Sequence, residues 1–97
     1  MKLINADLFE EATAETSVVQ FSATWCGPCK NLTRTVEAHE KSLGVPFYKV
    51  DLDNDRELAS KYNVKSVPTI ILFKNGKEIN RLIGDQTLSK LQAFVGA

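Results

Sequence analysis

Strand-like and helix-like segments take turns along this chain, and that alternation restricts the folds open to it. Leu3 and Ile4 read as a short first strand, and Asn5 is a residue type that caps a helix, with Leu8, Phe9 and Ala12 on the inner side. Residues 17–23 are β-branched and aromatic, a buried strand. Leu32, Val36, His39 and Leu43 recur at helical spacing up to Gly44, a suitable C-terminal glycine. Residues 46–51 form another strand, and Leu58 and Tyr62 mark a short helix over 55–62. Residues 69–73 are nearly all apolar, a central strand. The Asn75-Gly76 pair then predicts a tight hairpin into a strand over 78–83. Leu88, Leu91, Phe94 and Val95 give the last helix an apolar face. The order β-α-β-α-β-α-β-β-α implies parallel strands joined by right-handed crossovers, an antiparallel hairpin at the end, and helices on both faces of a mixed sheet.

Ninety-seven residues make one domain, 1–97. Twelve Lys and Arg balance twelve Asp and Glu. That zero net charge argues against a nucleic-acid partner, which calls for a basic balance. No apolar run nears the roughly 18 residues of a membrane span, and the first residues lack the apolar core of a signal peptide. The expectation is a cytoplasmic protein. The chain has two cysteines, too few for a disulfide scaffold or an all-cysteine zinc site.

Those two, Cys26 and Cys29, lie three apart at a strand-to-helix junction. In a first helical turn, residues three apart share a face, so the sulfurs can meet. Unpaired N–H groups and the positive end of the helix dipole favour a thiolate at Cys26. Pro28 suits a first turn, where its missing N–H costs nothing, and Gly27 lets another backbone come close. This suits reversible thiol–disulfide exchange, with an exposed attacking thiolate and a sheltered resolving thiol. Two other readings compete: half of a zinc site, for which His39 is the one further soft ligand, and two core cysteines spaced by coincidence. His39 reads as a packed or partly buried histidine on the helix stripe, or one that reaches the surface. No metal site is expected.

Trp25-Cys26-Gly27-Pro28-Cys29-Lys30 resembles the active-site signature of the thioredoxin family. Val67-Pro68-Thr69 is similar to its cis-proline segment, Phe73-Lys74-Asn75-Gly76 to its hairpin, Gly84 to the glycine after its last strand, and Lys49 to a lysine beside its active site. The resemblance spans nearly the whole chain. It implies an α/β thioredoxin fold: a mixed five-stranded sheet in the order 1-3-2-4-5, flanked by four helices. It further implies three parallel strands first and the last two antiparallel to them. By the same resemblance, Cys26 attacks a substrate disulfide and Cys29 resolves the mixed disulfide. The redox-active Cys26–Cys29 pair is the only prosthetic chemistry, with no cofactor bound. Trp25, Gly27, Pro28, Val67, Pro68 and Gly84 form a docking patch. The implied partners are disulfide-containing proteins and a thioredoxin reductase or equivalent donor, with the chain acting as a monomer. The second implied reading is a binding subunit that grips a partner through Trp25 and Pro68 without turnover.

The sequence departs from the family at a few positions. Gln20 stands where the family carries a buried aspartate that handles the proton of the resolving cysteine, and an amide does not titrate. Lys49 then lacks its usual negative neighbour, so Gln20 and Lys49 are the residues expected to tune the thiols. Ser22 shares a strand face with Gln20, which predicts a wetter pocket behind the motif. Arg34 replaces a helix-kinking proline and predicts a straighter helix. Asp85 adds a negative charge beside Gly84.

Overall fold

A computed structural model describes residues 1–96. In chain order the elements are β1 (Lys2–Ile4), α1 (Ala6–Thr13), β2 (Ser17–Ser22), α2 (Gly27–Leu43), β3 (Phe47–Asp51), α3 (Arg56–Lys61), β4 (Thr69–Lys74), β5 (Lys77–Ile83) and α4 (Leu88–Val95). The strands form one sheet in the order β1-β3-β2-β4-β5. β1 and β2 pair parallel to β3, and β4 pairs antiparallel to β2. One expectation is corrected: β5 is antiparallel to β4 and so runs in the direction of β1, β2 and β3. The cause is the two-residue hairpin. Asn75 and Gly76 both take positive φ, 54° and 78°, the conformation that folds a strand straight back on itself.

Alternation along the strands divides the core. Val18, Phe47, Ile70 and Leu72 face α2 and α4, meeting Leu32, Val36, Leu91 and Phe94. Val19, Phe21, Val50, Ile71 and Phe73 face the other way, against Phe9 of α1 and Leu58 of α3. There Phe9, Tyr62 and Phe73 form a three-ring cluster with centroids 5.3 Å apart. β2 is central and buried along its whole length.

The helix ends follow local chemistry. The Asn5 side chain accepts hydrogen bonds from the N–H groups of Asp7 and Leu8, capping α1. Gly44 ends α2 at φ 79°, a left-handed cap that glycine adopts without steric penalty. One reading of a helix face changes: Leu8 is exposed, because Phe9, Ala12 and Thr13 already occupy the inner side of α1. Of the two readings of His39, the structure has the one that reaches the surface: it lies about 60° around the helix from Val36, off the buried stripe.

Candidate active site

The α2-facing side of the sheet is apolar for the first residues of β2 and β3 and then becomes polar. Period-two geometry puts Gln20 and Ser22 of β2 on the same face as Val18, and Lys49 and Asp51 of β3 on the same face as Phe47. Past this polar edge the chain leaves β2, and Cys26 caps α2. The Cys26 sulfur accepts a hydrogen bond from the N–H of Cys29 at 3.1 Å, and Pro28 occupies the first turn. Cys26 and Cys29 are joined by a disulfide, with their Cα atoms 5.3 Å apart. Among the described residues, no three His, Cys, Asp or Glu side chains gather as a metal site.

Both cysteines are largely covered: Cys26 is 5% exposed and Cys29 1%. The expected contrast between an exposed and a sheltered sulfur is therefore small in the disulfide form, where Ala23 and Val67 pack against the pair. The Val67–Pro68 peptide is cis. The Pro68 carbonyl accepts a 2.8 Å hydrogen bond from the Gly84 N–H, and Gly84 has a φ of 91° that favours glycine. The Gln86 side-chain amide donates to the carbonyls of Ile83 and Gly84, both at 3.1 Å, and secures this turn. Val67 thus packs against the cysteines, and Gly84 is joined to the same segment through Pro68. Pro68 itself is buried and Val67 half-buried, whereas Gly27 and Pro28 are exposed. Trp25 is 67% exposed, and its indole Nε1 donates to Asp53 at 3.0 Å. It forms a lip and is not part of the core. Asp85 is exposed and accepts from the Gln86 N–H at 2.9 Å.

Behind the disulfide lies an open cleft of about 500 Å³, lined by Ser22, Cys29, Thr33, Lys49 and Asp51, with Lys30 and Arg34 among its walls. Ser22 lines this cleft but Gln20 does not, and the exposed lining is more apolar than the wetter pocket expected from the two residues. Lys49 is half-buried, not buried, and among the described residues it makes no ion pair. Gln20 is fully buried at the neighbouring position of β2. Its amide nitrogen donates to the Cys29 carbonyl at 3.4 Å and the Thr33 hydroxyl at 3.1 Å. Its amide oxygen has no partner.

Thr33, Asp51 and Asp53 were not singled out from the sequence. Thr33 follows Cys29 by four residues, one helical turn, and Asp51 follows Lys49 by two, one strand repeat, so both were open to inference. Asp53 lies in the turn after β3, and no periodicity in the sequence ties it to Trp25.

The family model described as Thioredoxin matches residues 1–97. The thioredoxin of Chlamydia trachomatis is 42% identical over 86 residues, covering 87% of this chain and 84% of that protein. Thioredoxin-1 of Saccharomyces cerevisiae is 41% identical over 92 residues, covering 92% and 89%. The crystal structure of Malassezia sympodialis thioredoxin superposes with a TM-score of 0.87 at 35% identity, covering 99% of this chain and 88% of that one.

Proposed function

The chain belongs to the thioredoxin family, and on that premise we propose that it acts as a reductant of protein disulfides, as one domain over residues 1–97. It is a thiol–disulfide oxidoreductase whose exchange chemistry resides in its own Cys26–Cys29 pair. The observation that carries the reading is that disulfide, set at the first turn of α2 with Cys26 as the cap.

In the reduced form, the Cys26 thiolate is the nucleophile. The N–H that reaches its sulfur and the positive helix end stabilise its charge. It attacks one sulfur of a substrate disulfide. A Cys26–substrate bond forms, the substrate S–S bond breaks, and a substrate thiolate leaves and is protonated by solvent. Cys29 then loses its proton to water or buffer and attacks the Cys26 sulfur. The Cys26–Cys29 bond forms as the mixed disulfide breaks, and the second substrate thiol departs. The substrate has gained two electrons and two protons. An external reductase, in this family an NADPH-dependent flavoprotein, returns the pair to the dithiol.

Docking uses Trp25, Gly27, Pro28, Val67, Pro68 and Gly84. The exposure of Trp25, Gly27 and Pro28 beside the cysteines supports this patch. The Val67 backbone offers strand-like hydrogen bonds to an extended substrate segment. Gln20 and Lys49 tune the thiols from behind. The zero net charge supports recognition through a small apolar patch by a monomer. A pair that must be re-reduced after every turnover fits the cytoplasm. The binding-subunit reading is not favoured, because both cysteines are present and paired.

Insulin reduction with dithiothreitol tests the function, followed by the same assay with NADPH and a thioredoxin reductase. Turnover above the reagent background supports the reading, and its absence contradicts it. Function retained after Cys26→Ser with Cys29→Ser would revive the binding subunit.

A further inference from the structure

Among the described residues, the Gln20 amide oxygen is the only buried side-chain nitrogen or oxygen atom without a hydrogen-bond partner. The residue is 0% exposed, so open water does not satisfy it. A flipped amide does not remove the problem. The Cys29 carbonyl only accepts, so the group facing it must be the nitrogen, and the oxygen must point elsewhere. An orphaned buried acceptor costs about 1–3 kcal/mol. It occurs here in the disulfide form, in which neither sulfur carries a proton. Opening the disulfide creates a new donor on the residue this amide already touches, the Cys29 thiol. Its residue already holds the Gln20 nitrogen through its carbonyl.

We propose that Gln20 is a redox-selective positioning residue: its amide oxygen accepts a hydrogen bond from the Cys29 thiol, directly or across one water, in the dithiol form only. The amide thereby stabilises the reduced protein over the oxidised one and keeps the proton on the resolving sulfur until exchange begins. The proton balance is ordinary. Reduction adds two electrons and two protons to the Cys26–Cys29 bond, and one of those protons resides on Cys29 facing Gln20. Thr33 fixes the amide nitrogen at 3.1 Å and so aims the oxygen. This inference rests on the exchange chemistry proposed above. It is measured at equilibrium, so it fails or succeeds independently of insulin turnover.

The experiment equilibrates wild type and Gln20→Met with dithiothreitol mixtures and quantifies the disulfide fraction by alkylation. Methionine keeps the length and removes both polar atoms. The orphaned acceptor then disappears from the oxidised state and the hydrogen bond from the reduced state. The expected result is a shift of about tenfold toward the disulfide, roughly 30 mV more negative. A shift under twofold, or one toward the dithiol, overturns the proposal. A second measurement uses the wild-type protein alone and so does not depend on how the variant folds. The ¹³C resonance of the Gln20 side-chain carbonyl is compared between the two redox states. The proposal predicts a downfield move on reduction, as the carbonyl gains a hydrogen bond. An unchanged or upfield-moved resonance, as from an oxygen bonded to water in both states, contradicts it.

Discussion

Gln20 and Lys49 are direct partners in the parallel pairing of β2 with β3, on the sheet face that looks toward Cys29. Between the amide and the ammonium there is no negative charge. The cleft beside them holds the cations Lys30, Arg34 and Lys49 against the single carboxylate of Asp51, whose Oδ1 is engaged by the Asp53 N–H at 2.9 Å. Positive charge near a cysteine favours its thiolate over a neutral disulfide. The same surroundings act on Cys29 and, across the disulfide, on Cys26.

Gln20→Asp places a buried carboxylate directly opposite Lys49 in the sheet, on the side of the cleft. The new negative charge opposes the cations, so the variant is predicted to be more reducing than wild type. Its Cys26 alkylation rate should follow a pH profile displaced to higher pH, because thiolate formation next to a carboxylate is disfavoured. Redox equilibration and iodoacetamide kinetics measure both effects. Superimposable curves for the two proteins contradict the assignment of Gln20 and Lys49 as tuning residues.

Trp25 is a lip residue whose single polar tie is the bond to Asp53. Trp25→Phe removes the indole donor and keeps an aromatic face. The expected loss of stability is about 1 kcal/mol, a few degrees in Tm by thermal melting. Reduction of a protein disulfide is predicted to slow more than reduction of a small-molecule disulfide, which needs little docking. Equal slowing of the two contradicts a docking role.

Gly84 joins the Pro68 carbonyl to the last strand at a φ of 91°. A Cβ there meets nothing within 4 Å, so Gly84→Ala suffers conformational strain without a clash. The strain costs about 1–2 kcal/mol. Denaturant unfolding is expected to give that loss, and kcat/KM for a protein substrate to fall more than that for a small disulfide. An unchanged preference between the substrates removes Gly84 from the patch.

Arg81 ties edge strand β5 to the body of the protein. Its guanidinium donates to both Glu78 oxygens, at 2.6 and 2.7 Å, and to the Tyr62 carbonyl at 2.7 Å. The hydrogen bonds it donates to Glu78 raise the Arg81 pKa further, so the clamp stays charged across the working pH range. Arg81→Met is predicted to cost about 1–2 kcal/mol, or roughly 4–16 °C in Tm, while insulin reduction at 25 °C stays unchanged. A loss of activity without a loss of stability would contradict this purely structural role.

The elements were legible in the sequence because strand and helix periods differ, and Asn5, Gly44 and Asn75-Gly76 mark the boundaries by their conformational preferences. The direction of β5 was misjudged although the hairpin that determines it was recognised. The turn sets β5 relative to β4 alone, and β4 already runs against the first three strands. The cysteine pair and the Val67-Pro68 segment were legible as local motifs. The orphaned oxygen of Gln20 was not, since the Thr33 hydroxyl that accepts from the amide nitrogen, and the nearby cleft, arise only when α2 packs on the sheet. The small exposure of Cys26 was equally hidden, because Val67 covers it from a distant part of the chain and Ala23 folds back against it in the preceding turn. Leu8 shows the limit of a spacing rule: it lies one step off a stripe that other residues fill.

The division of labour between the two cysteines is tested most directly by trapping. Cys29→Ser and Cys26→Ser are each reduced, mixed with a protein carrying one disulfide, quenched in acid and weighed by mass spectrometry. Cys29→Ser is predicted to accumulate the mixed disulfide through Cys26, because no thiol remains to release it, whereas Cys26→Ser forms little or none. Adduct formation through Cys29 at an equal or greater rate would contradict the account.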